Sequence, residues 1–206
     1  MIGINSLDTA IHSSPTLDNR FGSKTPFKDL IQLTSLDLSN NQLTDVTPLK
    51  EEDAHPADPD EGYGWEKLFT EKLCRYYYQD FGLETRVARF HNVYGPLGTY
   101  DGGREKAPAA ICRKVALAPD GGTIEIWGDG EQTRSFMHIN DCVEGVWRLV
   151  QSDNPGPLNL GTSRLITINA LVDLASEIAR KKLIKQHNLS GPQGVRGRNS
   201  DNTKVF

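Results

Sequence analysis

Tyr63 and Lys67 stand in the spacing Y-x-x-x-K, in a stretch whose apolar period predicts a helix, so their side chains leave one face a turn apart. A lysine ammonium beside a phenol favours the phenolate, which makes Tyr63 a base able to take a hydroxyl proton while the carbinol carbon is oxidised. Two solvated helix residues have the same spacing, so the pair gains weight only from its company. A second set is cationic. Lys114, Arg134 and Arg198 lie far apart in the sequence, and guanidinium forks suit the oxygens of a diphosphate bidentately. Any one of them alone reads better as a surface ion-pair partner. Trp127-Gly128-Asp129-Gly130 places a tight turn just before Gln132-Thr133-Arg134 and so offers a way to aim that arginine. Asn92 precedes Tyr94-Gly95-Pro96 after an expected strand, where parallel sheets bind ligands, although a plain turn residue fits the same place.

Alternating helices and strands must position these groups. Trp65, Leu68, Phe69, Leu73 and Tyr76 form a helical stripe between Tyr63 and Phe81, with Gly82 as the C-terminal stop. Glu84 to Phe90 alternates as a strand, Ala107 to Ala118 reads as a helix and Thr123 to Trp127 as a strand. Asp141 to Val150 is a helix with Asn140 as N-cap. Pro157 to Leu160 and Leu165 to Ile168 are short strands, and Ala170 to Lys182 is a helix with a basic last turn. Strands separated by helices of this length imply an α/β fold.

The chain has 206 residues, 37% apolar and 24% charged, enough for one ordinary domain with a core. A net charge of -4 leaves no basic footprint, so nucleic acid is not an expected partner. Cys74, Cys112 and Cys142 form no C-x-x-C pair and have no histidine at ligand spacing, so no metal site and no disulfide framework are expected. A reducing, cytoplasmic setting fits them. Neither a secretory leader pattern nor a membrane-spanning apolar run is present in the sequence.

Residues 1–24 are rich in Ser, Thr, Asn and Asp without sustained period, the composition of a disordered tail. Residues 25–49 read differently. Leu33, Leu36, Leu38, Asn41 and Leu43 fit the leucine-rich pattern L-x-x-L-x-L-x-x-N-x-L, and Thr25-Pro26-Phe27-Lys28 recurs as Thr47-Pro48-Leu49-Lys50, a repeat-length step. One such unit cannot bury its own apolar face. The pattern stops at Glu51-Glu52-Asp53, so the expectation is a single leucine-rich-repeat fragment, a remnant or a partner-binding cap.

From residue 50 onward a family resemblance joins these pieces. Asp58-Pro59-Asp60 followed by Gly62-Tyr63-Gly64-Trp65-Glu66-Lys67 resembles the catalytic helix of extended short-chain dehydrogenase/reductases that act on nucleotide sugars. Arg89-Phe90-His91-Asn92-Val93-Tyr94-Gly95-Pro96 resembles the R-x-x-N-x-Y-G-P loop of that superfamily. Gly102 to Ala110, Trp127 to Gly130, Gln132 to Phe136 and Gly194 to Asn202 stand as in the GDP-mannose 3,5-epimerase family. The resemblance covers residues 50–206 and less than half of such an enzyme.

That resemblance implies a partial Rossmann-like fold carrying the substrate-binding C-terminal portion, NAD as cofactor, GDP-mannose or a related GDP-sugar as substrate, and a homodimer. The implied reaction oxidises the sugar at C4, exchanges protons at C3 and C5, and reduces the ketone again. By resemblance Tyr63 is the C4 base, Lys67 is its electrostatic partner, both touch the cofactor, and Lys106 is one proton-exchange group. By the same resemblance Asn92, Glu105, Lys106, Ala107, Lys114, Gln132, Thr133, Arg134 and Arg198 contact the GDP-sugar. Departures accompany it. The family's second proton-exchange group, a cysteine, and the serine of its oxidation site lie upstream of the Y-x-x-x-K helix, where this sequence is leucine-rich. Cys74 matches a structural cysteine. Neither Gly102-Gly103 nor Gly128-x-Gly130 makes a G-x-x-G-x-x-G turn after a first strand, so the NAD-binding half is expected to be lacking. Two other readings compete, a neighbouring nucleotide-sugar dehydratase or epimerase and a non-catalytic binding module. Arg104-Glu105-Lys106 and Val195-Arg196-Gly197-Arg198 favour the first reading over the neighbouring enzymes.

Overall fold

The computed structural model describes residues 30–34, 48–55, 62–191 and 196–205, with backbone alone for 30–34 and Arg198. In chain order the elements are β1 (Leu30–Thr34), β2 (Pro48–Leu49), a 3-10 turn (Glu51–Ala54), α1 (Gly62–Phe81), β3 (Thr85–Phe90) and β4 (Asn92–Tyr94). They continue as α2 (Ala107–Leu117), β5 (Thr123–Trp127), β6 (Thr133–His138), α3 (Ile139–Gln151) and β7 (Pro157–Leu160). The last are β8 (Leu165–Thr167), α4 (Ile168–Ile178), β9 (Ile184–Asn188) and β10 (Gly197–Ser200). One sheet runs β1-β3-β7 and a second β2-β10-β6-β4, all parallel, with β8 antiparallel on β6; β5 and β9 form a parallel pair. Parallel strands joined through helices are the expected α/β architecture. The tail and most of the segment read as a leucine-rich repeat lie outside the described residues. The two described pieces of that segment, β1 and β2, are strands of the parallel sheets.

Local sequence accounts for much of this. Gly82 ends α1 at φ +66, its N–H donating to the Tyr78 carbonyl at 2.9 Å and the Leu83 N–H to that of Tyr77 at 3.4 Å. Pro108 sits in the first turn of α2, where its missing N–H costs no helical bond. β3 is buried along almost its whole length instead of alternating, as a parallel strand covered on both faces must be. Apolar side chains form two cores. Ala88, Met137, Leu149, Leu158 and Leu160 gather where α3 meets β3, β6 and β7, while Ile111, Val115, Ile124, Ile126 and Val172 join α2 and α4 to β5. Each Val, Leu, Ile or Met among them contributes about 1.5–3 kcal/mol by leaving water.

Several elements differ from expectation. α1 turns Gly64, Leu68 and Cys74 inward and leaves the expected stripe of Trp65, Phe69, Leu73 and Tyr76 exposed. The reason is Glu71, whose buried carboxylate takes both Arg89 Nε and an Arg89 terminal nitrogen at 2.8 and 2.7 Å and so fixes which face points inward. α3 starts at Ile139, and its N-cap is His138 rather than Asn140: the His138 Nδ1 accepts the Asn140 N–H at 3.2 Å, so β6 runs straight into the helix. α4 starts at Ile168, capped by the Thr167 hydroxyl, and stops at Ile178 rather than Lys182 because Arg180 turns left-handed at φ +55. Lys181 then caps another helix, donating its Nζ to the carbonyls of Val115, Ala116 and Ala118 at the end of α2. No helix among the described residues is long and apolar enough to cross a membrane.

Candidate functional site

Strand alternation on β6 separates two jobs. Ser135 and Met137 are buried, Met137 in the core, while Arg134, Phe136 and His138 project from the other face. Residues in register share that face. Asn92 pairs with Phe136, Tyr94 with His138, Ile166 with Arg134, and β10 sets the backbone of Arg198 beside Arg134. Tyr94 stands edge-on to Phe136 and His138, with centroids 6.4 and 5.4 Å away. Register therefore brings Asn92, Arg134 and Arg198, three of the residues expected at the site, onto neighbouring strands. The Asn92 side chain donates to the Ser135 carbonyl at 3.2 Å, which ties β4 to β6.

A cavity of about 1190 Å³ opens over part of this face, roofed by α2 and α4 and floored by Tyr94, Phe136, His138 and Ile166. Its lining carries the cations Arg104, Lys106, Arg113 and Arg164 and no carboxylate. Lys106 is the N-cap position of α2 and offers no side-chain acceptor to the first turn, so the amide ends of the helix face this region uncapped by a side chain. Glu105 turns away to Arg113 at 3.2 Å, and its carboxyl is held below the ordinary value first by backbone N–H groups and then by that guanidinium.

The other expected residues divide. Ala107 opens α2 and packs against the second core. Lys114 points to β5, donating to the Glu125 carbonyl at 2.9 Å with its Nζ 6.0 Å from the Trp127 ring, and does not line the cavity. Gln132 is buried, its amide donating to the Trp127 carbonyl at 2.8 Å, and its Oε1, like the Thr133 Oγ1, has no hydrogen-bond partner among the described residues. Tyr63 is half exposed with the Lys67 Nζ 5.1 Å from its ring centroid, so the one-face geometry expected of Y-x-x-x-K holds. Neither residue lines the cavity. Cys74 is buried, which pushes its thiol pKa up and suits a structural role. No group of His, Cys, Asp and Glu among the described residues could hold a metal.

The turn ahead of Gln132 is fastened from two sides. Asn169 donates to the Asp129 carbonyl at 3.1 Å and the Glu131 carboxylate at 2.6 Å, and a side chain at Gly130, where φ is +74, would run into Asn169. Arg196 pairs with Asp129 at 2.6 Å and holds its carboxyl below the ordinary value, with the Glu131 N–H assisting. Asn169, Arg164 and His138 stand in no motif of the sequence, because only the folded register and loop path bring them here, whereas Arg104 belongs to the Arg104-Glu105-Lys106 stretch without a site role of its own.

Residues 23–161 match the NAD dependent epimerase/dehydratase family. The chain belongs to this family. Its match begins ahead of β1 and so runs through the leucine-rich segment. The chain is 54% identical over 157 residues to GDP-mannose 3,5-epimerase of Arabidopsis thaliana, covering 76% of this chain and 41% of that protein. It is 52% identical over 164 residues to GDP-mannose 3,5-epimerase 1 of Oryza sativa subsp. indica, covering 80% and 43%. The chain thus spans less than half the length of the curated relatives it matches. Among solved structures, UDP-glucose 4-epimerase of Thermotoga maritima with UDP-glucose superposes with a TM-score of 0.75 at 26% identity, over 86% of this chain and 56% of that one.

The described residues of this epimerase/dehydratase chain fit NAD only at one end. Tyr63 and Lys67 share one face of α1 and offer a phenol hydroxyl and an ammonium as polar groups, but no described glycine turn leads from a parallel strand into a helix to take the pyrophosphate. The spacing G-x-x-G-x-x-G does occur at Gly191, Gly194 and Gly197. It connects β9 to the strand β10, not to a helix. No chemical step is therefore derived through the cofactor.

Proposed function

We propose that residues 50–206 form the GDP-sugar-binding portion of a GDP-mannose 3,5-epimerase working in the cytoplasm. The observation that carries this reading is the register that aligns Asn92, Arg134 and Arg198 beside a carboxylate-free cavity containing Lys106. Arg134 and Arg198 take diphosphate oxygens, and the open acceptors of Gln132 and Thr133 face polar groups of the ligand. Lys106 moves a proton at a ring carbon of the sugar, and Tyr63 takes a hydroxyl proton of the sugar; NAD, when bound, would supply the acceptor for the hydride leaving that carbinol carbon. Two copies pair through α1, whose aromatic residues Trp65, Phe69 and Tyr76 are exposed.

Calorimetry with GDP and GDP-mannose tests the binding reading. Arg134→Ala and Arg198→Ala should each cost on the order of 1–3 kcal/mol as charge-assisted bonds are lost. Binding indifferent to both changes would count against it. Equal affinity for UDP would point instead to a neighbouring nucleotide-sugar enzyme.

A further inference from the structure

We propose that Asn169, held in one orientation by His187, is the positioning residue that aims Gln132 and Arg134 at the ligand. For what those two residues meet, this placement rests on the GDP-sugar reading; the geometry of the turn stands without it. Asn169, in the first turn of α4, grips the turn that precedes β6 through backbone and side chain. Its N–H donates to the Gly130 carbonyl at 2.9 Å, and its Nδ2 donates to the Asp129 carbonyl at 3.1 Å and to Glu131 Oε1 at 2.6 Å. The adjacent Ile168 N–H donates to the Gln132 carbonyl at 3.2 Å. Gly130 closes onto the Asn169 amide at φ +74, a place where any Cβ would collide with it.

The orientation of that amide is decided by hydrogen-bond chemistry. Both groups facing Nδ2 are acceptors, a carbonyl and a carboxylate, so Oδ1 has to point the other way and find a donor. There it meets His187 Nε2 of β9 at 2.9 Å, which carries the hydrogen because Oδ1 only accepts. From the turn the constraint runs into β6. The Gln132 amide is tied to the Trp127 carbonyl at 2.8 Å, the Thr133 N–H donates to the Arg196 carbonyl at 2.9 Å, and an Arg134 terminal nitrogen rests on the Thr133 carbonyl at 2.7 Å. A shift of the turn therefore carries the Arg134 guanidinium with it, and a bidentate grip on phosphate oxygens depends on where that fork points. Arg196 holds the same turn through Asp129 at 2.6 Å, but both side chains are exposed, and exposed ion pairs hold weakly. The half-buried Asn169 is the firmer anchor, since one of its bonds goes to a charged acceptor.

Asn169→Asp keeps the shape of the side chain and sets a carboxylate against Glu131 and the Asp129 carbonyl in place of the two donors. In the whole chain without ligand, hydrogen exchange at the Glu131 and Thr133 amides, which donate to Asp129 Oδ1 and the Arg196 carbonyl, should then quicken about tenfold. The amides of β3, in the other sheet, should keep their protection. Calorimetry on the same variant should show the Kd for GDP raised about tenfold or more. His187→Leu should change both readouts in the same direction by less, because His187 is exposed and acts only through Asn169. His187→Gln, whose side-chain amide can donate where Nε2 does, should restore the parent values. Turn exchange unchanged in Asn169→Asp, or quickened in β3 as well, overturns the proposal, as does His187→Gln behaving no better than His187→Leu. So does GDP affinity that falls in Arg134→Ala but not in Asn169→Asp. A parent chain that binds no GDP, with the turn loosened by Asn169→Asp and steadied in His187→Gln, removes the GDP-sugar reading and upholds the placement of Arg134 by Asn169.

Discussion

Arg89 is the residue where motif and structure part company. In the sequence it opens the R-x-x-N-x-Y-G-P stretch beside a ligand loop, yet its guanidinium is spent inside the protein, on both oxygens of Glu71 and on the Glu51 carbonyl at 2.7 Å. Both partners are more than nine-tenths buried, so removing one leaves an uncompensated charge. Glu71→Gln or Arg89→Met should therefore lower stability by about 3–5 kcal/mol in urea unfolding. The double change Glu71→Leu with Arg89→Met should recover a large part. A single variant as stable as the parent would show that water reaches the pair. The same residue explains what sequence alone could not tell. Tyr63 and Lys67 were legible because a four-residue step on a helix fixes their relation. Which of the charged residues on α1 turns inward depends on a partner eighteen positions away, and no periodicity in the helix encodes it.

At the scale of elements, spacing in the sequence carries the helices and the strands β3, β5, β7 and β8, whereas the polar strands β6 and β9 leave no such signal. β6 reads Thr-Arg-Ser-Phe-Met-His and β9 Ile-Lys-Gln-His-Asn, neither a run of β-branched or aromatic residues; both exist because parallel neighbours claim their backbones. α1 shows the converse case, a stripe visible in the sequence that the chain does not bury. Trp65 and Phe69 are 50% and 63% exposed and lie one turn apart on one side of the helix, a patch whose apolar area favours a second copy. Sedimentation of the chain at tens of micromolar should show dimers. Trp65→Ser with Phe69→Ser should shift the population to monomers, since aromatic anchors of this kind contribute about 2 kcal/mol or more each. A monomer before any change, or a dimer that survives both, removes α1 from the interface.

At the scale of the whole molecule, the family match places this chain among NAD dependent enzymes, whereas the elements that a dinucleotide needs are differently disposed. Pyrophosphate binding in such folds takes a glycine turn that lets the backbone approach, followed at once by a helix whose amide ends face the phosphates. Two described strands run directly into helices, β6 into α3 and β8 into α4, and they do so through His138 and Thr167. The described glycines that adopt positive φ serve other ends: Gly82 stops α1, Gly102 and Gly103 shape the approach to α2, Gly121 turns the chain between α2 and β5, and Gly128 and Gly130 form the turn before Arg134. The spacing at Gly191, Gly194 and Gly197 leads into a strand, which presents no helix dipole to an anion. The 206-residue chain on its own should therefore bind NAD no tighter than the millimolar range while still binding GDP, because the groups for the two ligands sit on different elements. Fluorescence titration with NADH, run beside calorimetry with GDP on the same preparation, separates the two. Micromolar NADH affinity would mean that a segment other than these glycine turns receives the pyrophosphate, and product analysis with GDP-mannose would then show whether that site also supports turnover.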